Sequence, residues 1–179
     1  MKKIWMVAAI LFILYGCTEK KEEPTVESES AMVEVDIPTE VARNYGSLNI
    51  EYKASDIYKT IQPNGVVSLE MNSQQLNEIA QQTEQFLEEY KETSEQSKED
   101  GIAHIDANEN YSNWEIVLSD DSLLRQEAFD LAQEHLIKNI LTYQLVHRHN
   151  PELDIQYVTD AGEPLDRKII RTKFAYSDE

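Results

Sequence analysis

The sequence has a single cysteine, five glycines and five prolines in 179 residues. One thiol forms no intramolecular disulfide, which excludes a disulfide-stapled secreted mini-domain. Positive charge is also scarce, with 16 Lys and Arg against 34 Asp and Glu, a formal charge of −18. Nucleic acid and anionic headgroups are polyanions that repel such a body, so no nucleic-acid partner is expected. No Gly-x-Ser-x-Gly, His-Glu-x-x-His or phosphate-binding glycine loop occurs, so the usual nucleophile and metal boxes are missing and no catalytic residues are nominated. The longest apolar run, Ile4 to Tyr15, makes a helix of about 18 Å, against the roughly 30 Å hydrocarbon core of a bilayer. What is present is a 41% hydrophobic share and enough length for one domain with its own core.

Met1-Lys2-Lys3 followed by that run has the form of a signal peptide, a basic start before a short hydrophobic region. It ends in Leu14-Tyr15-Gly16-Cys17, which resembles the lipobox of bacterial lipoproteins: an aliphatic residue, two positions ending in a small one, then cysteine. Tyr15 departs from the pattern, since small or aliphatic residues are usual there. The resemblance implies cleavage between Gly16 and Cys17, a diacylglyceryl thioether on Cys17, and Cys17 as the new N-terminus. It therefore implies a protein anchored by acyl chains such as palmitate on the extracytoplasmic face of the cell membrane. Two or three such chains hold firmly where one does not, because each buried CH₂ contributes about 0.8 kcal/mol. No cofactor is expected beyond this covalent lipid. Loss of Lys2 and Lys3 leaves 14 bases against 34 acids, a charge of −20.

Three segments follow: a signal peptide over 1–16, a lipidated cysteine with an acidic tether over 17–31, and a single domain over 32–179. The tether, rich in Glu, Ser, Thr and Lys, has too little apolar surface to offset its ordering entropy. Order begins near Val33, where Val33, Val35 and Ile37 alternate with acids before Pro38. Alternation predicts strands at Leu48–Tyr52, Val66–Met71, Ile102–Ile105, Trp114–Leu118, Leu153–Tyr157 and Arg167–Tyr176. Helical spacing predicts two long helices, one from Asn72 or Ser73 to about Gln96 and one over about Ser122–His147. The expected fold is α+β, an antiparallel sheet with both helices on one face. Its middle six elements spell β-α-β-β-α-β, the order of a ferredoxin-like core with extra strands.

Several constellations invite chemistry and have simpler explanations. His147 and His149, two apart on a helix, point about 200° away from each other, and suit the negative end of the helix dipole better than a metal. With His104 and His135 these are the only histidines, and His135 follows Leu124, Ala128 and Leu131 along one helical face, as a partly buried, hydrogen-bonded histidine does. Asp106, Asn108 and Asn110 resemble the opening of an EF-hand calcium loop, yet Tyr111 replaces its glycine and Val117 its final glutamate, leaving a polar hairpin turn. Asp120 and Asp121 sit where they cap the second helix. Near the end of the chain Arg167, Arg171 and Lys173 share the face opposite Ile170 and Phe174. They form a strip explained by pairing, with Asp154 expected across from Arg171, or by a partner-facing role.

These readings converge on a lipid-anchored, non-enzymatic module that binds an envelope protein. Two alternatives are a small-ligand or cation-binding lipoprotein, and an envelope hydrolase working with carboxylates alone, which needs two acids of divergent pKa in one cleft.

Overall fold

The computed structural model describes residues 31–46, 48, 50, 57–96 and 101–172. The signal segment, Cys17, most of the tether, Lys173, Phe174 and Tyr176 lie outside them. The elements are β1 (Met32–Ile37), α1 (Thr39–Tyr45), β2 (Tyr58–Ile61), β3 (Val67–Asn72), α2 (Ser73–Gln96), β4 (Ile102–Ala107) and β5 (Asn113–Leu118). A 3-10 turn (Asp121–Arg125), α3 (Glu127–Val146), β6 (Glu152–Thr159) and β7 (Pro164–Arg171) complete the order.

The class is α+β. The strands divide between two sheets, an antiparallel one in the order β1-β3-β2 and a mixed one in the order β4-β5-β6-β7. A single ferredoxin-like sheet is not formed, and the reason lies at β3. Both of its edges are filled, by β1 on one side and β2 on the other, so β3 itself has no edge to offer β4–β7. Tyr58–Ile61 is a strand that its own sequence pattern does not announce. Leu48 and Ile50, expected in a strand, reach the core from a turn and a helical residue, both almost fully buried. Leu48 has φ 58°, and its carbonyl shares the single Thr142 hydroxyl proton with the Lys138 carbonyl, at 3.2 and 2.7 Å, so this turn lies against α3.

The long helices are where the periodicity puts them. Asn72 opens α2 by a reciprocal exchange: its Oδ1 accepts from Gln75 N at 2.9 Å while Gln75 Oε1 accepts from Asn72 N at 2.8 Å. One face of α2 then buries Ile79, Thr83 and Leu87. The second helix starts later than expected. Asp120 caps the 3-10 turn through Ser122 N at 2.9 Å, and α3 begins only at Glu127 with no side-chain cap. The C-terminal half of α3 is buried all round from Leu136 to Val146 except at Lys138 and Tyr143, because it touches β1 of one sheet, β6 of the other, and α2. Both helices lie against the inner faces of the sheets, where Val35, Ile37, Leu69 and Met71 meet Ile116, Leu118, Leu153 and Ile155 in one core. The parallel pairing of β5 with β6 is the crossover that α3 provides.

Candidate functional site

Opposite the helices, the outer face of the four-stranded sheet carries side chains that alternation turns away from the core. One row runs across all four strands in register: Asp106, Glu115, Gln156 and Arg167. The next row holds Asn113, Asp154 and Ile169. Acid thus gathers over β4 and β5 and base over β7. A shallow hollow of about 240 Å³ opens over the acidic side, with Asp106, Asn108, Asn113, Glu115, Asp154 and Gln156 around it. Asp106 and Glu115 face each other directly across the hairpin, both exposed, and like charges so placed repel.

Arg167 and Arg171 do share this outer face, while Lys168 and Ile170 turn inward and are half-buried. Their partners differ from the expected pairing. Asp154 stands across from Ile169, and Glu152 across from Arg171. Arg167 reaches diagonally and grips Asp154 with both arms: Nε donates to Oδ1 at 2.8 Å and the second guanidinium nitrogen to Oδ2. These hydrogen bonds hold the Asp154 carboxyl below its ordinary range against the opposing effect of desolvation, with the charges of Arg167 and Arg171 assisting. Arg171 takes Glu152 at 3.7 Å, both side chains largely in solvent. Lys173 lies outside the described residues.

At the rim of the hollow, the loop that resembled a calcium site spends its oxygens on itself. Asn108 Oδ1 accepts from Asn113 N at 2.9 Å, and Asn110 Oδ1 accepts from Ser112 Oγ at 2.8 Å. Tyr111 occupies the left-handed region at φ 55°, where the calcium loop has glycine. Its backbone is fixed there by the Trp114 indole N–H, which donates to Tyr111 O at 2.8 Å, and its ring is buried.

Behind the loop Tyr111 joins a cluster of rings drawn from α2, β5 and α3. Its ring stacks 5.9 Å from Trp114 and meets Tyr143 edge-on at 4.8 Å, while Tyr90 meets Trp114 at 6.5 Å. The Tyr111 hydroxyl donates to Glu88, and burial followed by that hydrogen bond raises its pKa. Burial pushes Tyr90 up to about 12.

The histidines do not converge with these acids into a metal site. Among the described residues no group of three or more His, Cys, Asp or Glu is placed to hold a metal ion. His147 caps the end of α3, 4.3 Å from the Tyr143 ring and 6.4 Å from that of His149. Burial, then the charge of His149, lowers its pKa, so it is biased toward the neutral imidazole rather than a cation serving the dipole. His135 is exposed, its ring edge-on to Phe86 at 4.8 Å, and not the partly buried group its spacing suggests. His104 lies exposed on β4, in the row beyond Asp106 and Glu115.

Sequence reasoning missed the opposition of Asp106 and Glu115. The polar hairpin between them was legible, and counting outward from it gives the register. The ring cluster had no such signal, because its members come from three separate elements. Among the described residues no helix is long and apolar enough to cross a membrane. No protein-family model matches the chain, and no curated protein or solved structure matches it either.

Proposed function

We propose that this protein is a lipid-anchored, extracytoplasmic binding module that presents the outer face of its four-stranded sheet to an envelope protein. Cys17 carries the acyl anchor and the acidic segment up to residue 31 spaces the domain from the bilayer. The observation that carries the binding role is the unrelieved opposition of Asp106 and Glu115 beside the hollow. No ion pair joins either of them to a cation among the described residues, and a pair of like charges held in register costs stability that a basic partner side chain returns. Arg167, pinned to Asp154, bounds the acidic area on the side of β7 and gives the face a charge polarity that orients the partner.

A photo-crosslinking side chain at Gln156, in the native envelope, tests the reading. A discrete protein product is expected from that position, lost when Glu115 is changed to Lys and absent when the crosslinker is moved to exposed Leu131 on α3. Equal labelling from both positions, or none from Gln156, rejects the assignment of this face.

A further inference from the structure

The outer face of the four-stranded sheet changes the sign of its charge from one edge to the other. Across β4, β5, β6 and β7 the registered row is Asp106, Glu115, Gln156 and Arg167: acid, acid, amide, base. All four residues are exposed. Arg167 gives Nε and one terminal nitrogen to Asp154, so its third nitrogen donates in neither bond. Beside it Ile169 adds an apolar side chain that is 48% exposed.

Two copies of such a face meet about a twofold axis lying between them, and only one direction of that axis suits the charges. An axis across the strands lays each strand on its own copy and sets acid on acid. An axis along the strands lays β4 on β7 of the second copy and β5 on β6, so the row meets itself reversed. Asp106 then stands over Arg167 of the second copy and Glu115 over its Gln156, and each pairing occurs twice. One row along, Asn113 stands over Asp154. Facing sheets pack about 10 Å apart with strands within about 30° of parallel, a gap that an arginine and an aspartate close from opposite sides. Both bodies are acidic, but beyond about 8 Å their repulsion is screened at physiological salt, which leaves the contacts to decide. Four strands, none shorter than six residues, give roughly 400 Å² of sheet on each copy, the size of a weak, reversible contact.

We propose, on the reading of this face as the binding surface, that its occupant is a second copy of the same chain. The copies dock about a twofold axis parallel to the strands, and Arg167 of each caps the acidic hollow of the other beside Asp106 and Glu115. Two anchors in one bilayer hold the copies close enough for a weak contact to form.

Two coexpressed copies of the full chain, carrying different tags, test this in the native envelope. With a photo-crosslinking side chain at Gln156 of one copy, a product of twice the chain mass is expected, carrying both tags and joined to the β5 peptide Asn113–Leu118 of the other. Asp106→Lys in both copies, or Arg167→Glu in both, is expected to lower that product about fivefold or more. Asp106→Lys in one copy with Arg167→Glu in the other restores it to within about twofold, because both cross-copy pairs are again opposite in sign. A Gln156 product that holds a different protein overturns the second copy and leaves the face as a binding surface. No product from Gln156, or equal labelling from Leu131, rejects the face and the second copy together. Should Arg167→Glu unfold on releasing Asp154, the unaltered copies decide through the joined peptide. Attachment to β6 of the second copy, or to any segment outside this sheet, overturns the docking.

Discussion

Gln144 near the end of α3 holds both backbone groups of Glu152 at the start of β6: its Nε2 donates to Glu152 O at 2.8 Å and its Oε1 accepts from Glu152 N at 3.0 Å. The side chain is 1% exposed, so no water replaces either bond. The amide does for the first residue of β6 what a neighbouring strand does for the rest, and so sets where the helix hands over to the sheet. Gln144→Leu keeps the volume and strands both groups. It is expected to cost about 1–3 kcal/mol of unfolding free energy in a urea titration, whereas a loss below about 0.5 kcal/mol would show the clamp to be incidental.

The opposition of Asp106 and Glu115 makes stability and binding move in opposite senses. Glu115→Lys turns a repelling cross-strand pair into an attracting one and is expected to add about 0.2–1 kcal/mol to stability at low salt, the gain shrinking as salt is raised. The same variant is expected to abolish crosslinking from Gln156. A variant that is more stable and binds as well as the unaltered protein separates the hollow from the partner.

The Asp154–Arg167 pair sets a pH dependence. The folded Asp154 carboxyl titrates below its unfolded value of about 3.8, so its contribution is present above that value and is lost as pH falls through the folded pKa. Asp154→Asn is therefore expected to lower the melting temperature near neutral pH, with the difference from the unaltered protein shrinking below about pH 3.8. A difference that stays constant into acid would mean that the carboxylate charge is not what Arg167 holds.

Gly101 and Gly162 separate backbone strain from crowding. Both have positive φ, 76° and 78°, but a Cβ at Gly101 meets Leu123 Cδ1 at 2.7 Å whereas one at Gly162 meets nothing within 4 Å. Alanine at either position takes on the strain of a positive φ, about 1 kcal/mol, and only Gly101→Ala adds a clash. Thermal denaturation is expected to rank Gly101→Ala clearly below Gly162→Ala, and equal losses would show that Leu123 yields without cost.

Cys17→Ser tests the anchor apart from the domain. The variant is expected in the aqueous fraction, or unprocessed at its signal segment, with acyl labelling gone, and its denaturation midpoint unchanged. Persisting lipid labelling would remove the lipoprotein reading and leave the binding face to be judged alone.

The sequence by itself determined the elements whose cause is local. Asn72 with Gln75, and the spacing of Ile79, Thr83 and Leu87, are contained within α2, and the outward turn of Arg167 and Arg171 follows from a period of two. Only the tertiary structure decided what depends on residues far apart in the chain. That β1 and β2 both claim β3, and so split the strands between two sheets, is a competition between segments that no window of sequence contains. Leu48 and Ile50 have the alternation of a strand and are buried without one, because burial selects apolar residues whatever backbone delivers them. Arg167 takes Asp154 because register fixes which residues stand across from one another, and a guanidinium then reaches two residues along the neighbouring strand for a two-armed grip. Periodicity tells a side chain which way to face; the identity of what it meets there is set by pairing and packing between distant segments.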